Sequence, residues 1–407
     1  MTDDLQGLAA RRRWIVVAPT IYPLGKQGYA GIERLVVLFL RGLLEQRKSA
    51  GAAVSSRSWE LGCVCANGSV VPRGTTRYSA GPALMDFREP NLMAAVIVSI
   101  WLADASVWLD FSHSKPVGRS NLDLPHLSPI WHDPALMQPQ APWRNVVALS
   151  EWQAERFRRI QKQECLVLDP ICGDANYFNL GGKADGLSYS EVAPFDLHGT
   201  PGSLLLGRGD GRTLGERGRE EEGVVAAERQ EYLLFIGKLA PDKGCLEAIQ
   251  ACRQLKQRLE IVGPVTPGDP PDYVAEVLRQ CDGQDIVYHG EVTEAHKLTL
   301  LQRAKALLYP VSYPPGFGEA HSHKAAEAML CGLPCIAYDQ GAMDHVIDQG
   351  VTGLVIPGRA ELAEAIKACE TIDRAACRAR AVERWHYQNV VARWLPVMEE
   401  VSRGARW

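Results

Sequence analysis

The chain has 407 residues, 46% hydrophobic and 23% charged, enough for two domains of ordinary size, each burying its own core. A formal net charge of −4 and a pI near 6.2 leave no whole-chain electrostatic footprint for nucleic acid, so the expected partners are small molecules. Eleven scattered cysteines form no even framework, which points to buried free thiols in a reducing, cytoplasmic setting; Cys63 and Cys65 stand too close together for the usual zinc spacing. The N-terminus is acidic ahead of Arg11, Arg12 and Arg13 and has no apolar segment like that of a signal peptide. The most apolar run, 92–103, is shorter than the roughly 20 residues that span a bilayer, so no transmembrane segment is expected, while peripheral membrane contact stays open.

Trp14 to Pro19 is a continuous apolar run, the pattern of a strand buried on both faces. A loop punctuated by Pro23, Gly25, Gly28 and Gly31 follows, and from Glu33 to Gln46 leucines and valines recur at helical spacing. Strand, glycine loop and helix make the first unit of a doubly wound parallel sheet. A second strand should come next, yet 49–58 gives only a weak signal. The pattern returns with an apolar helix from Leu92, strands over 107–113 and 128–132, and a strand over 145–150 running into a helix from Glu151 to Gln161, with Ser150 as its N-cap. His113 and His132 each close a strand, at the sheet edge where ligands bind in open α/β folds; on spacing alone such a histidine is structural more often than not. Residues 181–230 are Gly-rich and charged with few aromatics, and read as a long flexible inter-domain linker. Tyr232 to Gly237 then restarts a buried strand, with Lys238 and Lys243 behind it. Arg374 to Arg403 is helical in pattern, with Trp385, Tyr387 and Trp394 along it.

The stretch from Gly316 to Pro334 concentrates the chemistry. Gly316 and Gly318 allow close backbone approach, and the helix behind them, stopped by Gly332 and Pro334, aims its unpaired N–H groups at whatever sits at its mouth, most naturally a phosphate. Glu319 and Glu327 are carboxylates suited to pairs of sugar or ribose hydroxyls. On spacing alone the two glutamates read as solvated helix residues; the neighbouring motifs change that. His321, His323 and Lys324 add donors beside the expected phosphate.

Tyr232–Gly244, Leu259–Pro264, Val287–Val292, Ala306–Pro310, Glu327–Tyr338 and Gly350–Val355 occur in an order and spacing that resembles the donor-binding domain of the GT-B retaining glycosyltransferases of family 4, the glycosyl transferases group 1, over 231–357. The resemblance implies an α/β fold of two Rossmann-like doubly wound domains facing a central cleft. It divides the chain into an acceptor-binding domain (1–180), the linker (181–230), a nucleotide-sugar donor domain (231–373) and C-terminal helices (374–407) that cross back to the first domain. It further implies that Glu327 binds the ribose, that Glu319 holds the sugar near the reacting carbon, that His132 contacts the transferred sugar, and that Lys238 and Lys243 meet the leaving diphosphate. Gly28 and Gly31 would lie over the diphosphate, with Gly318, His321 and Ser322 completing the donor site.

No metal and no cofactor beyond the nucleoside diphosphate sugar co-substrate is implied, since lysines and helix N-termini take that role. Three departures from the family pattern stand out. Ala30 replaces one of two adjacent glycines, Lys238 stands where an arginine is usual, and Ala320, His321 and Ser322 follow Glu319 in place of Pro-Phe-Gly. The expected activity is retaining transfer of a hexose, from UDP-glucose as first choice, to an acceptor such as a pterin, a lipid or a glycan. The alternative is a catalytically retired relative that binds nucleotide sugar or acts as a scaffold.

Overall fold

Parallel strands with near-continuous apolar sequence need cover on both faces, and that requirement shapes both halves of the chain. In this computed structural model the described residues are 12–20, 23–24, 31–49, 59–82, 105–112, 115, 117, 125–131, 134, 143–178, 232–315 and 317–407. The first sheet is built from β1 (Arg12–Val17), followed by α1 (Gly31–Ser49), β2 (Trp59–Cys65), β3 (Thr75–Ser79), β4 (Ala105–Asp110), β5 (His126–Pro129), β6 (Val146–Ala148), α2 (Glu151–Gln161) and β7 (Leu166–Val167). Its spatial order is β3-β2-β1-β4-β5-β6-β7, with parallel pairings.

Trp14 to Val17 are fully buried, as their run of apolar side chains requires. The second strand lies at Trp59–Cys65, beyond the weak signal at 49–58, and Cys63 and Cys65 are simply buried in it. Gly62 sits in this strand because there is no room for more: a Cβ there would lie 2.5 Å from Ile15 Cδ1 and 2.7 Å from Tyr78 Cε2. Ser150 caps α2 as expected, its hydroxyl accepting from Gln153 N.

The second sheet uses β8 (Tyr232–Ile236), α3 (Cys245–Leu255), β9 (Arg258–Val262), α4 (Pro271–Gln280), β10 (Ile286–Tyr288), α5 (Glu294–Arg303), β11 (Leu307–Tyr309), α6 (His323–Leu330), β12 (Cys335–Tyr338), α7 (Met343–Val346), β13 (Gly353–Ile356) and α8 (Leu362–Cys369). The order is β10-β9-β8-β11-β12-β13, again parallel. Strand order therefore reverses between β1 and β4 in the first domain and between β8 and β11 in the second. At such reversals the connections leave in opposite directions and open a crevice beyond the carboxyl ends of the strands.

Two helices end the chain, α9 (Arg374–Trp385) and α10 (Tyr387–Ser402). α10 belongs to the first core: Val390, Val391, Trp394, Met398 and Val401 are buried there among residues of α1. Trp394 meets Phe39 edge-on at 5.5 Å between ring centres, and its indole N–H donates to the Asp169 carbonyl at 3.0 Å. This cover explains why α1 buries Leu35 through Leu40 around most of its circumference.

The chain passes between the two cores at neighbouring points. Ile171 lies in the first core and Cys172 in the second; Trp385 lies in the second and Tyr387 in the first. Cys172 N donates to Trp385 O at 3.3 Å, and Tyr387 N to Gly173 O at 3.1 Å, so the two passages run side by side. Phe178 and Tyr232 share the second core. Among the described residues the passage out of the first domain thus falls at 171–172, ahead of the 181–230 stretch read as the linker, which lies outside them. No helix among the described residues is long and apolar enough to cross a membrane.

Candidate active site

In the second domain the crevice between β8 and β11 is lined by residues that follow those two strands. After β8, Lys243 projects its ammonium to the Tyr313 hydroxyl (2.6 Å), to Asp242 (3.1 Å) and to Glu319 Oε1 (3.4 Å). Tyr309, the last residue of β11, and Tyr313 behind it both donate to Glu319 Oε1, at 2.8 and 3.0 Å. Glu319 is thereby held by three donors from two strand ends, and its position is set before any ligand arrives.

Charges shift accordingly. Burial alone would lower the Lys243 ammonium, but Glu319 and Tyr313 beside it outweigh that and raise it, so it stays cationic. Burial, and then Glu319, raise the Tyr309 phenol and push Tyr313 up to about 12; both remain donors. Lys238 does not join this group: it is half-exposed and faces Asp269 at 3.7 Å. The two lysines therefore face different carboxylates.

Gly318 earns its place by close packing. A Cβ on it would lie 2.7 Å from both Gly341 Cα and Trp152 Cζ2, while Gly341, at φ +69, comes so near Glu319 that its own added Cβ would lie 2.3 Å from that residue's carbonyl oxygen. These contacts fix the turn that carries Glu319. Ser150 of the first domain adds another, its hydroxyl donating to Ala320 O at 2.9 Å. The turn bearing the candidate catalytic carboxylate is thus braced from both domains.

Ser322 is the N-cap of α6, its hydroxyl accepting from Ala325 N at 3.2 Å. Lys324, in the first turn, has no ion-pair partner among the described residues, and burial together with Lys243 nearby brings its ammonium down to about 8. His321 and His323 are also lowered, His323 to about 4, chiefly by burial, so both rings are neutral. His321 meets the inter-domain passage, its Nε2 3.9 Å from Cys172 Sγ. His323 stands 6.3 Å from the Trp131 ring of the first domain.

Glu327 lies in the middle of α6, closer to the helix start than its distance from Glu319 suggests, because α6 begins only at His323. It is buried and receives Lys297 Nζ at 3.0 Å, with Arg34 of α1 at 3.8 Å. Lys297 and Arg34 also meet Glu294, at 2.9 and 2.6 Å. Two carboxylates and two cations form one network across the cleft. Gly31 opens α1; Gly28, Ala30, His113 and His132 lie outside the described residues.

Sequence reading brought Glu319, Lys243, Gly318, Ser322 and Glu327 to this region. It missed Tyr313 and Lys297, which carry no motif of their own, and gave no role to Arg34, at the end of the glycine-loop stretch, or to Tyr309, within the family-like run 306–310.

Two parallel sheets with this strand order, facing each other and rejoined by a C-terminal helix, define the GT-B fold. Residues 217–384 match the family model described as glycosyl transferases group 1. The chain is similar to a D-inositol 3-phosphate glycosyltransferase of Kribbella flavida, 28% identical over 170 residues that cover 39% of each chain. The match therefore spans about two fifths of that curated relative. Among solved structures, AviGT4, a glycosyltransferase involved in avilamycin A biosynthesis, aligns over 97% of this chain and 99% of its own at a TM-score of 0.67 and 19% identity. Anabaena Alr3699/HepE, in complex with UDP-glucose, aligns over 95% and 99% at a TM-score of 0.59 and 16% identity. Both likenesses are of fold.

Proposed function

We propose that the chain is a retaining glycosyltransferase that moves a hexose from a nucleoside diphosphate sugar to an acceptor bound by the first domain, with UDP-glucose as the donor. The observation that carries this reading is the Lys243–Tyr313–Tyr309–Glu319 group at the reversal of the second sheet, directly ahead of the α6 N-terminus. A diphosphate placed there meets the partial positive charge of the helix end and the ammonium groups of Lys243 and Lys324. As the glycosidic bond breaks, negative charge grows on the leaving oxygen, and cations already held in place stabilise it without reorganising. Lys238, half-exposed at the crevice mouth, supplies a further positive charge to the diphosphate.

Glu319 keeps Oε1 occupied by its three donors, and in this reading its other oxygen accepts from sugar hydroxyls. Glu327 takes the ribose hydroxyls, exchanging its contact with Arg34 for them when the nucleotide binds. His132 contacts the transferred sugar, and the loop with Gly28 and Gly31 covers the diphosphate. The leaving phosphate deprotonates the acceptor on the same face, so configuration is retained and no protein nucleophile is required. The first choice of donor is supported by the solved neighbour that carries UDP-glucose. Transfer without a divalent ion on the diphosphate is part of the proposal, since the lysines and the helix end supply the charge.

The test is nucleoside diphosphate release from a panel of UDP-, GDP- and ADP-sugars, with and without a small-molecule cell extract, beside Glu319→Gln. Release from UDP-glucose that the extract stimulates and the variant loses is expected, and the anomeric proton of the product then reports retention. Saturable donor binding with no release under any extract would overturn the catalytic reading.

A further inference from the structure

A second constellation lies where the chain passes between domains. Cys172 is the first residue of the second core after the passage, and His321 and His323 flank the Ser322 cap of α6. One ligand atom from each, the Cys172 sulfur and a ring nitrogen of each histidine, lie within 4.8 Å of one another, with Cys172 Sγ and His321 Nε2 at 3.9 Å. His321 is 8% exposed and Cys172 is 1% exposed. Among the described residues, Nδ1 of His321 and Nδ1 of His323 are both buried with no hydrogen-bond partner. The unpartnered Nδ1 atoms cost stability as they stand, and rings held by no strong hydrogen bond there can turn a nitrogen to a cation beside the Cys172 sulfur.

We propose that Cys172, His321 and His323 bind one Zn2+, leaving a fourth position for water. Thiolate and imidazole are the ligands this borderline-soft ion prefers, and three protein ligands with one open position is a stable arrangement for it. Zinc–sulfur and zinc–nitrogen bonds of about 2.3 and 2.0 Å place tetrahedral ligand atoms roughly 3.5 Å apart. The present separations close to that by small side-chain rotations. On binding, the Cys172 thiol releases its proton to solvent and the two imidazoles bind as neutral ligands, so the ion and its ligands carry one net positive charge. Asp169 and Glu327, whose charges act on His321 and His323 respectively, are at hand to balance it.

The ion would join the inter-domain passage to the turn that carries Glu319. This goes against the sequence expectation of no metal, and it does not depend on the transferase reading. It differs from a catalytic metal on the diphosphate in both ligands and place.

The experiment uses the full-length chain, stripped with a chelator, dialysed, then titrated with Zn2+ or Co2+. The expected results are about one Zn2+ retained per chain and a thiolate-to-cobalt charge-transfer band in the Co2+ form. Cys172→Ala should abolish the band, and His321→Ala and His323→Gln should each abolish stoichiometric retention. Thermal melts of the metal-free proteins identify any variant that fails to fold, and the remaining variants then decide. Failure of the folded wild-type chain to take up either ion overturns the proposal, as does uptake that all folded variants match. Neither outcome bears on nucleoside diphosphate release, so the two readings fail separately.

Discussion

Apart from the added β7 of the first, the two domains share one strand order and one kind of crevice, yet they fill it differently. In the second domain the reversal is lined by Lys243, Tyr309, Tyr313 and Glu319, polar groups that satisfy one another and leave hydrogen-bonding capacity for a ligand. In the first domain the described residues after β4 close that edge: Phe111 N donates to Val17 O, the Trp131 indole donates to Phe111 O at 2.9 Å, and Phe111 lies 6.1 Å from Trp394 of α10. The second-domain crevice carries a charged group with capacity left for a ligand, whereas among the described residues of the first, aromatic rings supplied partly by α10 stand beside a buried group in which Ser112 Oγ donates to Asp110 and Lys115 Nζ donates to the Asp110 carbonyl at 3.1 Å. Equal architecture thus holds unequal chemistry, and site residues rather than topology decide what each half can do.

That contrast can be broken by substitution. Trp394→Ala removes a buried indole and its hydrogen bond from the first core, and should cost about 4 kcal/mol of stability in urea denaturation while leaving donor affinity of the folded protein intact. Loss of donor binding at temperatures where the variant is folded would blur the division. Lys243→Ala should do the reverse, lowering kcat by about 10² to 10³, roughly 3 kcal/mol, with little change in the melting temperature. An unaltered turnover number would remove Lys243 from the chemistry.

Asp169 sharpens the comparison at the boundary itself. Burial pulls its carboxyl upward, but the His345 hydrogen bond and the Arg384 charge outweigh burial and hold it at about 2; Arg393 stands 3.8 Å away. A folded-state value below the unfolded one stabilises the protein above the unfolded range and loses that contribution as pH falls towards 2. Asp169→Asn should therefore cost about 2 kcal/mol near neutrality, with the gap to wild type narrowing below about pH 4 in denaturant titrations. A gap that stays constant would show that the charge of Asp169 is not what matters. The smallest effect is expected from Tyr313→Phe, which removes one of the three donors to Glu319: about 1 kcal/mol, or some fivefold in kcat/KM, read as nucleoside diphosphate release.

Much of this was legible in the residues. Strands such as Trp14–Val17 and Tyr232–Ile236, buried on both faces, announce themselves as apolar runs, and the Ser150 cap and the Glu319 turn carry local signals that survive folding. β2 was not legible, because Glu60 and Gly62 interrupt its apolar run. Glu60 pairs with Arg13 of the neighbouring strand at 2.9 Å, and Gly62 makes room for Ile15 and Tyr78, so both reasons lie in other strands. The partners of the two glutamates were hidden for the same cause. Arg34 reaches Glu327 only because α1 and α6 face each other across the cleft, and Cys172 meets His321 across 149 positions of sequence. Spacing rules see neighbours along the chain, and these contacts are made by topology.

The paired passages at Cys172–Gly173 and Trp385–Tyr387 have a mechanical consequence. Among the described residues both crossings between the domains go through one spot and are hydrogen-bonded to each other there, so any rotation of one half against the other would turn about that spot, like a door on a single strap. Small torsion at the strap becomes a large displacement at the cleft mouth, whereas the Glu319 turn, next to the pivot, hardly travels. Glu319 and its three donors would stay in register through such a rotation, since all four belong to the second domain.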